Sequence, residues 1–108
     1  MDIDHLVAEP WDELALYTLS EVQIQQLLKH PALKTRNGWA PPWKKFVQYT
    51  QGKPQILLVT RGTINHVSGN LSYTQMPNDI LVIPSHFTHQ STIGSEELEY
   101  ILIAKDMN

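Results

Sequence analysis

Apolar residues along this chain gather in short runs separated by turn residues, and the pattern is clearest from Gln55 onward. Ile56-Leu57-Leu58-Val59 is a continuous apolar run closed by Arg61-Gly62, which predicts a strand covered on both faces. Ile80-Leu81-Val82-Ile83 is a second such run, ended by Pro84. Between them, Thr63-Ile64-Asn65-His66 and Leu71-Ser72-Tyr73-Thr74 flank Ser68-Gly69-Asn70 and predict a hairpin. Pro77-Asn78-Asp79 marks a further turn, and Gly94-Ser95 another, which leads into Leu98-Glu99-Tyr100-Ile101-Leu102-Ile103.

The pattern upstream is thinner. Leu14, Leu16 and Thr18 alternate as a strand would. Ser20 followed by Gln23 has capping-box spacing, and Ile24, Leu27 and Leu28 repeat at helical spacing until His30-Pro31. This predicts a helix of about two turns, with an extended segment as the alternative. Pro41-Pro42 separates Leu33-Lys34-Thr35-Arg36 from Phe46-Val47-Gln48-Tyr49, which read as two short strands or a strand and a loop. Several short strands with turns between them indicate an all-β antiparallel sandwich or barrel carrying a short N-terminal helix. At 108 residues one domain is expected, residues 1–32 forming an N-terminal extension and 33–105 the barrel.

Composition narrows the chemistry. With no cysteine, disulfides, thiolate metal sites and cysteine nucleophiles are excluded. The start Met-Asp-Ile-Asp-His lacks the pattern of a signal peptide, and no apolar stretch approaches the ~20 residues of a membrane helix, so a cytoplasmic protein without a membrane partner is expected. Residues 22–78 carry Lys29, Lys34, Arg36, Lys44, Lys45, Lys53 and Arg61 with no acid among them. The plain reading is a solvated face balanced by acidic termini; the sharper one is a mouth that attracts an anion. A net charge of -3, without a basic helix or stacking motif, argues against nucleic acid as a partner.

Two segments resemble the cupin superfamily of small antiparallel jelly-roll β-barrels. One is the strand running into Gly62, the other Asn78 to His89. In the second, Asn78 and His86 stand where the cupin pattern has glycines, Pro84 stands at its proline and His89 at its histidine. In the first, Gln55 stands at the glutamate position, and the histidine pair falls on Tyr49 and Gln51, or on Gln48 and Thr50 with a spacer one residue longer. No histidine lies between His30 and His66 and no acid between Glu21 and Asp79, so no register restores the usual ligands. First-row metals generally need several such donors, and a neutral amide is a poor substitute.

The resemblance therefore implies a jelly roll that binds a small molecule, which an anionic group would suit, without a tightly held metal or other cofactor. Its expected site is His89, Tyr49, Gln51 and Gln55 as polar groups, Tyr73 and Phe87 as apolar walls, and Lys45 at the rim, with Lys44 and Arg61 as further uncompensated cations for an anionic group. The alternative is an enzyme: a divalent-metal oxygenase or isomerase using His89, His86 and His66, or a metal-free isomerase or lyase with His89 as base. A histidine spacing of three puts His86 and His89 on opposite faces of a strand, so their convergence requires the Pro84 turn to persist through Phe87. Trp39 and Trp43, flanking the proline pair, are candidates for a pocket lid or a homodimer contact, and core packing accounts for most of the other aromatics.

Overall fold

The apolar run Ile56-Leu57-Leu58-Val59 lies in a strand, Gln55–Arg61, that has a neighbour on each edge and is buried on both faces. The computed structural model describes residues 1–50 and 52–106, with positions 49 and 50 as backbone only. In chain order its elements are α1 (Ile3–Ala8), β1 (Ala15–Thr18), α2 (Glu21–Leu28), β2 (Leu33–Ala40), β3 (Lys45–Thr50), β4 (Gln55–Arg61), β5 (Ile64–Ser68), β6 (Leu71–Gln75), β7 (Asp79–Ile83), β8 (Phe87–Ile93) and β9 (Leu98–Lys105). Five strands form one sheet in the order β1-β7-β4-β9-β2, and four form the other in the order β3-β8-β5-β6. Every ladder is antiparallel, and the two sheets face each other without hydrogen bonds closing them into a ring.

Side chains alternate along the five-stranded sheet, so its two faces fill two different cores. Ile56, Leu58, Ile80, Val82 and Ile103 point outward and are covered by the N-terminal helices through Leu6, Trp11, Ile24 and Leu27. Leu57, Val59, Leu81, Ile83 and Leu98 belong to the clusters between the sheets. Covering both faces removes the need for polar positions, which is why β4 and β7 read as unbroken apolar runs.

Helix α2 starts as its spacing predicts. Gln23 N–H donates to Ser20 Oγ at 3.2 Å, and Ser20 N–H donates to Gln23 Oε1 at 2.9 Å, a complete capping box. A second helix, α1, was not expected, because six residues span under two turns and its i, i+3, i+4 set of Ile3, Leu6 and Val7 is not repeated. It is capped by Asp2, whose carboxylate accepts from Asp4 N–H at 3.0 Å, and it buries Ile3, Leu6 and Val7. Trp11 Nε1–H donates to the Leu6 carbonyl at 2.9 Å and Lys105 Nζ to the Glu9 carbonyl at 2.6 Å, fastening this layer to β9. No described helix is long and apolar enough to cross a membrane.

Turns tie the sheets together. Gly62, between β4 and β5, has φ 81°, and a side chain there would meet the Glu97 carbonyl oxygen at 2.6 Å. Asp79, at the start of β7, accepts from Thr18 Oγ1–H at 2.7 Å and from Met76 N–H at 3.0 Å. Its neighbour Asn78 donates N–H to the Val59 carbonyl and accepts from Leu19 N–H.

Candidate ligand-binding site

Register decides which side chains of the four-stranded sheet enter the space between the sheets. His89 pairs with Gln48, His66 pairs with Ser91 on one side and Tyr73 on the other, and Ile64 pairs with Gln75. Directly paired residues share a face, so these positions form an inward row of polar groups. His66, Gln75, His89 and Ser91 are all buried.

Three of the four are mutually satisfied. Gln75 donates both amide protons to carbonyls, those of Leu57 at 2.6 Å and Asp79 at 2.9 Å, which fixes the amide with Oε1 toward His66. His66 Nε2 lies 3.0 Å from that oxygen and must carry the proton. Its Nδ1, 2.9 Å from Ser91 Oγ, is then the acceptor of the serine hydroxyl proton. Burial first, then the neighbouring His89, lowers the His66 pKa from 6.5 to about 4 against the raising effect of Gln75, so the ring is neutral. The order Ser91, His66, Gln75 has the outline of a nucleophile, base and orienter, but a base this weak and a neutral orienter give little activation to a serine that is itself buried. The network is a bridge between sheets, since the Leu57 carbonyl belongs to β4.

His89 is different. Its ring is only 3% exposed, and neither nitrogen has a hydrogen-bond partner among the described residues. It meets His66 edge to face at 5.2 Å between centroids and lies 5.7 Å from Phe87. Burial lowers its pKa too, keeping it neutral. An imidazole with two unsatisfied nitrogens is expensive to bury, at roughly 1–3 kcal/mol for each group, so this is where the interior has spare hydrogen-bonding capacity.

A cavity of about 480 Å³ lies between the sheets, with Gln48 and Gln55 in its wall alongside Leu57, Phe46 and Tyr100. Trp39 and Lys44, both exposed, complete its rim. Gln55 is therefore where the sequence placed it. Gln48, the position reached with the longer spacer, is the residue opposite His89. Tyr49 pairs with Thr88 in the ladder, and Gln51 lies outside the described residues. Lys45 must be replaced by Lys44, because Lys45 precedes the inward Phe46 by one residue and points to the opposite, exposed face. Tyr73 and Phe87 are half-buried beside the two histidines, and neither they nor His89 line the cavity. Strand β8 begins at Phe87, so His86 remains at the preceding turn and is exposed, whereas His89 is buried in the strand.

No family model matches the sequence, and no curated protein matches it. Solved structures do. A DUF861 family protein from Thermotoga maritima superposes with TM-score 0.64 at 10% identity, over 83% of this chain and 97% of that one. A cupin 2 domain-containing protein from Halorhodospira halophila gives 0.61 at 22% identity, over 93% and 69%. The Cupin_2 domain of an XRE family transcriptional regulator from Enterobacter cloacae gives 0.59 at 8% identity, over 88% and 98%. The chain has the cupin fold. At these identities the likeness is one of architecture, and chemistry has to be read from this chain's residues. Asn78 and His86, at the two cupin glycine positions, both have positive φ, 73° and 57°. A metal of the cupin kind would need donors that this chain does not converge among the described residues: His66 spends both nitrogens on Gln75 and Ser91, His86 is exposed, and the cavity wall offers amides. Among the described residues no cluster of three His, Asp or Glu side chains forms. The donor set does not fit a first-row metal.

Proposed function

We propose that this cupin binds a small organic molecule in the cavity between its sheets and holds it through neutral amides rather than through a metal or other cofactor. The observation that carries this reading is the cavity itself, about 480 Å³, with polar and apolar surface in nearly equal shares and Gln48 and Gln55 in its wall; His89, without a hydrogen-bond partner among the described residues, stands beside Gln48 in the ladder but outside the lining. That size and mixture suit a metabolite-sized ligand. One structural neighbour is a domain of a transcriptional regulator, which agrees with binding as the purpose of the fold.

The test is a thermal-shift screen of a broad metabolite panel with elemental analysis of protein purified without a metal-affinity tag. Stabilisation by at least one compound at a metal content below about a tenth of an equivalent is expected. A full equivalent of Fe, Mn, Ni or Zn, or no stabilisation by any compound, overturns the reading. A metal-free isomerase or lyase is the second reading, favoured by the neutral, unpaired His89 imidazole, which is in the correct protonation state for a general base. The reading also includes a homodimer, with Trp39 and Trp43, 57% and 67% exposed, as its contact. Light scattering that gives a monomer mass at every concentration removes the dimer.

A further inference from the structure

The ligand's chemistry is written in the cavity wall. Among the described residues eleven line it, and Lys44 is the only charged one of these. No ion pair engages Lys44 among the described residues, whereas Lys34 is bonded to Asp106 at 3.1 Å. Among the described residues no carboxylate lines the wall, so a cation would find no counter-charge there, and an anion would find one. Gln48, Gln55 and the Tyr100 hydroxyl add neutral polar groups, and the remainder, including Phe46, Trp39, Leu57 and Leu102, is apolar.

The shape of the cavity depends on a residue that no motif marks. Gly38 on β2 pairs with Tyr100 on β9, and a Cβ built at Gly38 would overlap the far ring carbons and the hydroxyl of Tyr100. The phenol therefore lies folded back over the bare backbone of β2, with its other face bounding the cavity beside Phe46. Only a glycine at 38 permits this position. Because the overlap would be with the mobile end of a side chain, a methyl group at 38 displaces the ring rather than the strand.

We infer that the cavity takes a planar aromatic monocarboxylate, its ring against Tyr100 and Phe46 and its carboxylate at Lys44, with Gly38 as a specificity-determining residue that holds the slot open. The inference rests on the ligand-binding reading above and adds the class of ligand to it. One charge at the rim suits one carboxylate, since a second would be buried without a partner. Aromatic walls favour a flat body over a bulky aliphatic one, because stacked and edge-on contacts add to area burial.

Titration of 1-naphthoate, its neutral carboxamide and cyclohexanecarboxylate, followed by quenching of tryptophan fluorescence, tests it, since Trp39 lines the cavity. Naphthoate is expected to bind about tenfold more tightly than either comparison. Lys44→Gln should erase the preference over the carboxamide. Lys45→Gln removes the same charge from the outward face and should leave affinity within about twofold. Gly38→Ala should melt cooperatively yet lose naphthoate binding. If it does not fold, Tyr100→Leu must lose the preference for the aromatic ring over the aliphatic one. Equal binding of carboxylate and carboxamide, equal effects of the two lysine substitutions, or full binding by folded Gly38→Ala overturns the inference. Stabilisation by other compounds without naphthoate binding defeats this inference alone, whereas a silent metabolite panel together with silent naphthoate defeats the ligand-binding reading as well.

Discussion

His66 and His89 touch edge to face, yet they contribute oppositely to stability. Replacing His66 by leucine leaves Gln75 Oε1 and the Ser91 hydroxyl without their partner in a dry interior, and should cost about 2–3 kcal/mol. Replacing His89 by leucine removes two nitrogens that have no partner among the described residues, and should be neutral or stabilising by about 1 kcal/mol in the absence of ligand. Urea melts of the two variants check this, and equal losses would show that His89 is satisfied as His66 is. The same pair sets an acid limit. Both pKa values are depressed in the folded state, so the unfolded chain takes up protons first as pH falls below 6.5, and stability declines from there toward pH 4. For His66 alone the loss is about 2 kcal/mol at pH 5. The difference in urea midpoint between pH 7 and pH 5 should therefore shrink in a variant carrying His66→Asn and His89→Leu, and an unchanged difference would assign the acid sensitivity to other groups.

Helix α2 and strands β4 and β7 were legible in the sequence because each carries its own local signal. The helix had its capping box, and the strands had apolar runs that only a doubly covered sheet requires. Ser20→Ala removes the side-chain acceptor of the Gln23 N–H and should lower stability by about 1 kcal/mol, measured by urea denaturation. Restoration by Ser20→Asp would confirm capping as the cause. Helix α1 was not legible, since its i, i+3, i+4 set of Ile3, Leu6 and Val7 runs for six residues only, too short a window for the period to stand out from chance. The site was half legible. The inward positions of Gln55 and His89 follow from their distance to Gly62 and Pro84, which turns fix locally, but only Gln55 reaches the cavity wall. Gln48 depended on the register between β3 and β8, a long-range pairing in which a shift of one residue exchanges the faces and with them Lys44 for Lys45. Gln75, Ser91 and Gly38 were missed because nothing nearby in the chain marks them; each acquires its role from a partner on another strand.

The whole molecule is two cores sharing one sheet. Strands β4, β7 and β9 each have a ladder partner on both edges, whereas β2 is an edge with only β9 beside it. Amide exchange should accordingly be slowest in β4 and β7, where both faces are also buried, and fastest within this sheet along β2. Native-state hydrogen exchange measures this directly, and protection in β2 equal to that in β4 would mean the edge is covered in solution by another chain, as a homodimer would do. A ligand between β2 and β3 should raise protection in both strands before it affects the helical layer.

The pairing of Leu33–Ala40 with Leu98–Lys105 also has a consequence for synthesis. While the chain is being made, β2 leaves the ribosome long before its one partner exists, and its eight residues wait with both backbone edges open. Lys34 and Arg36 charge that waiting segment, and like charge on a nascent strand is a protection against pairing with its neighbours on the same message. The basic residues of β2 thus have work to do before there is any barrel for them to border.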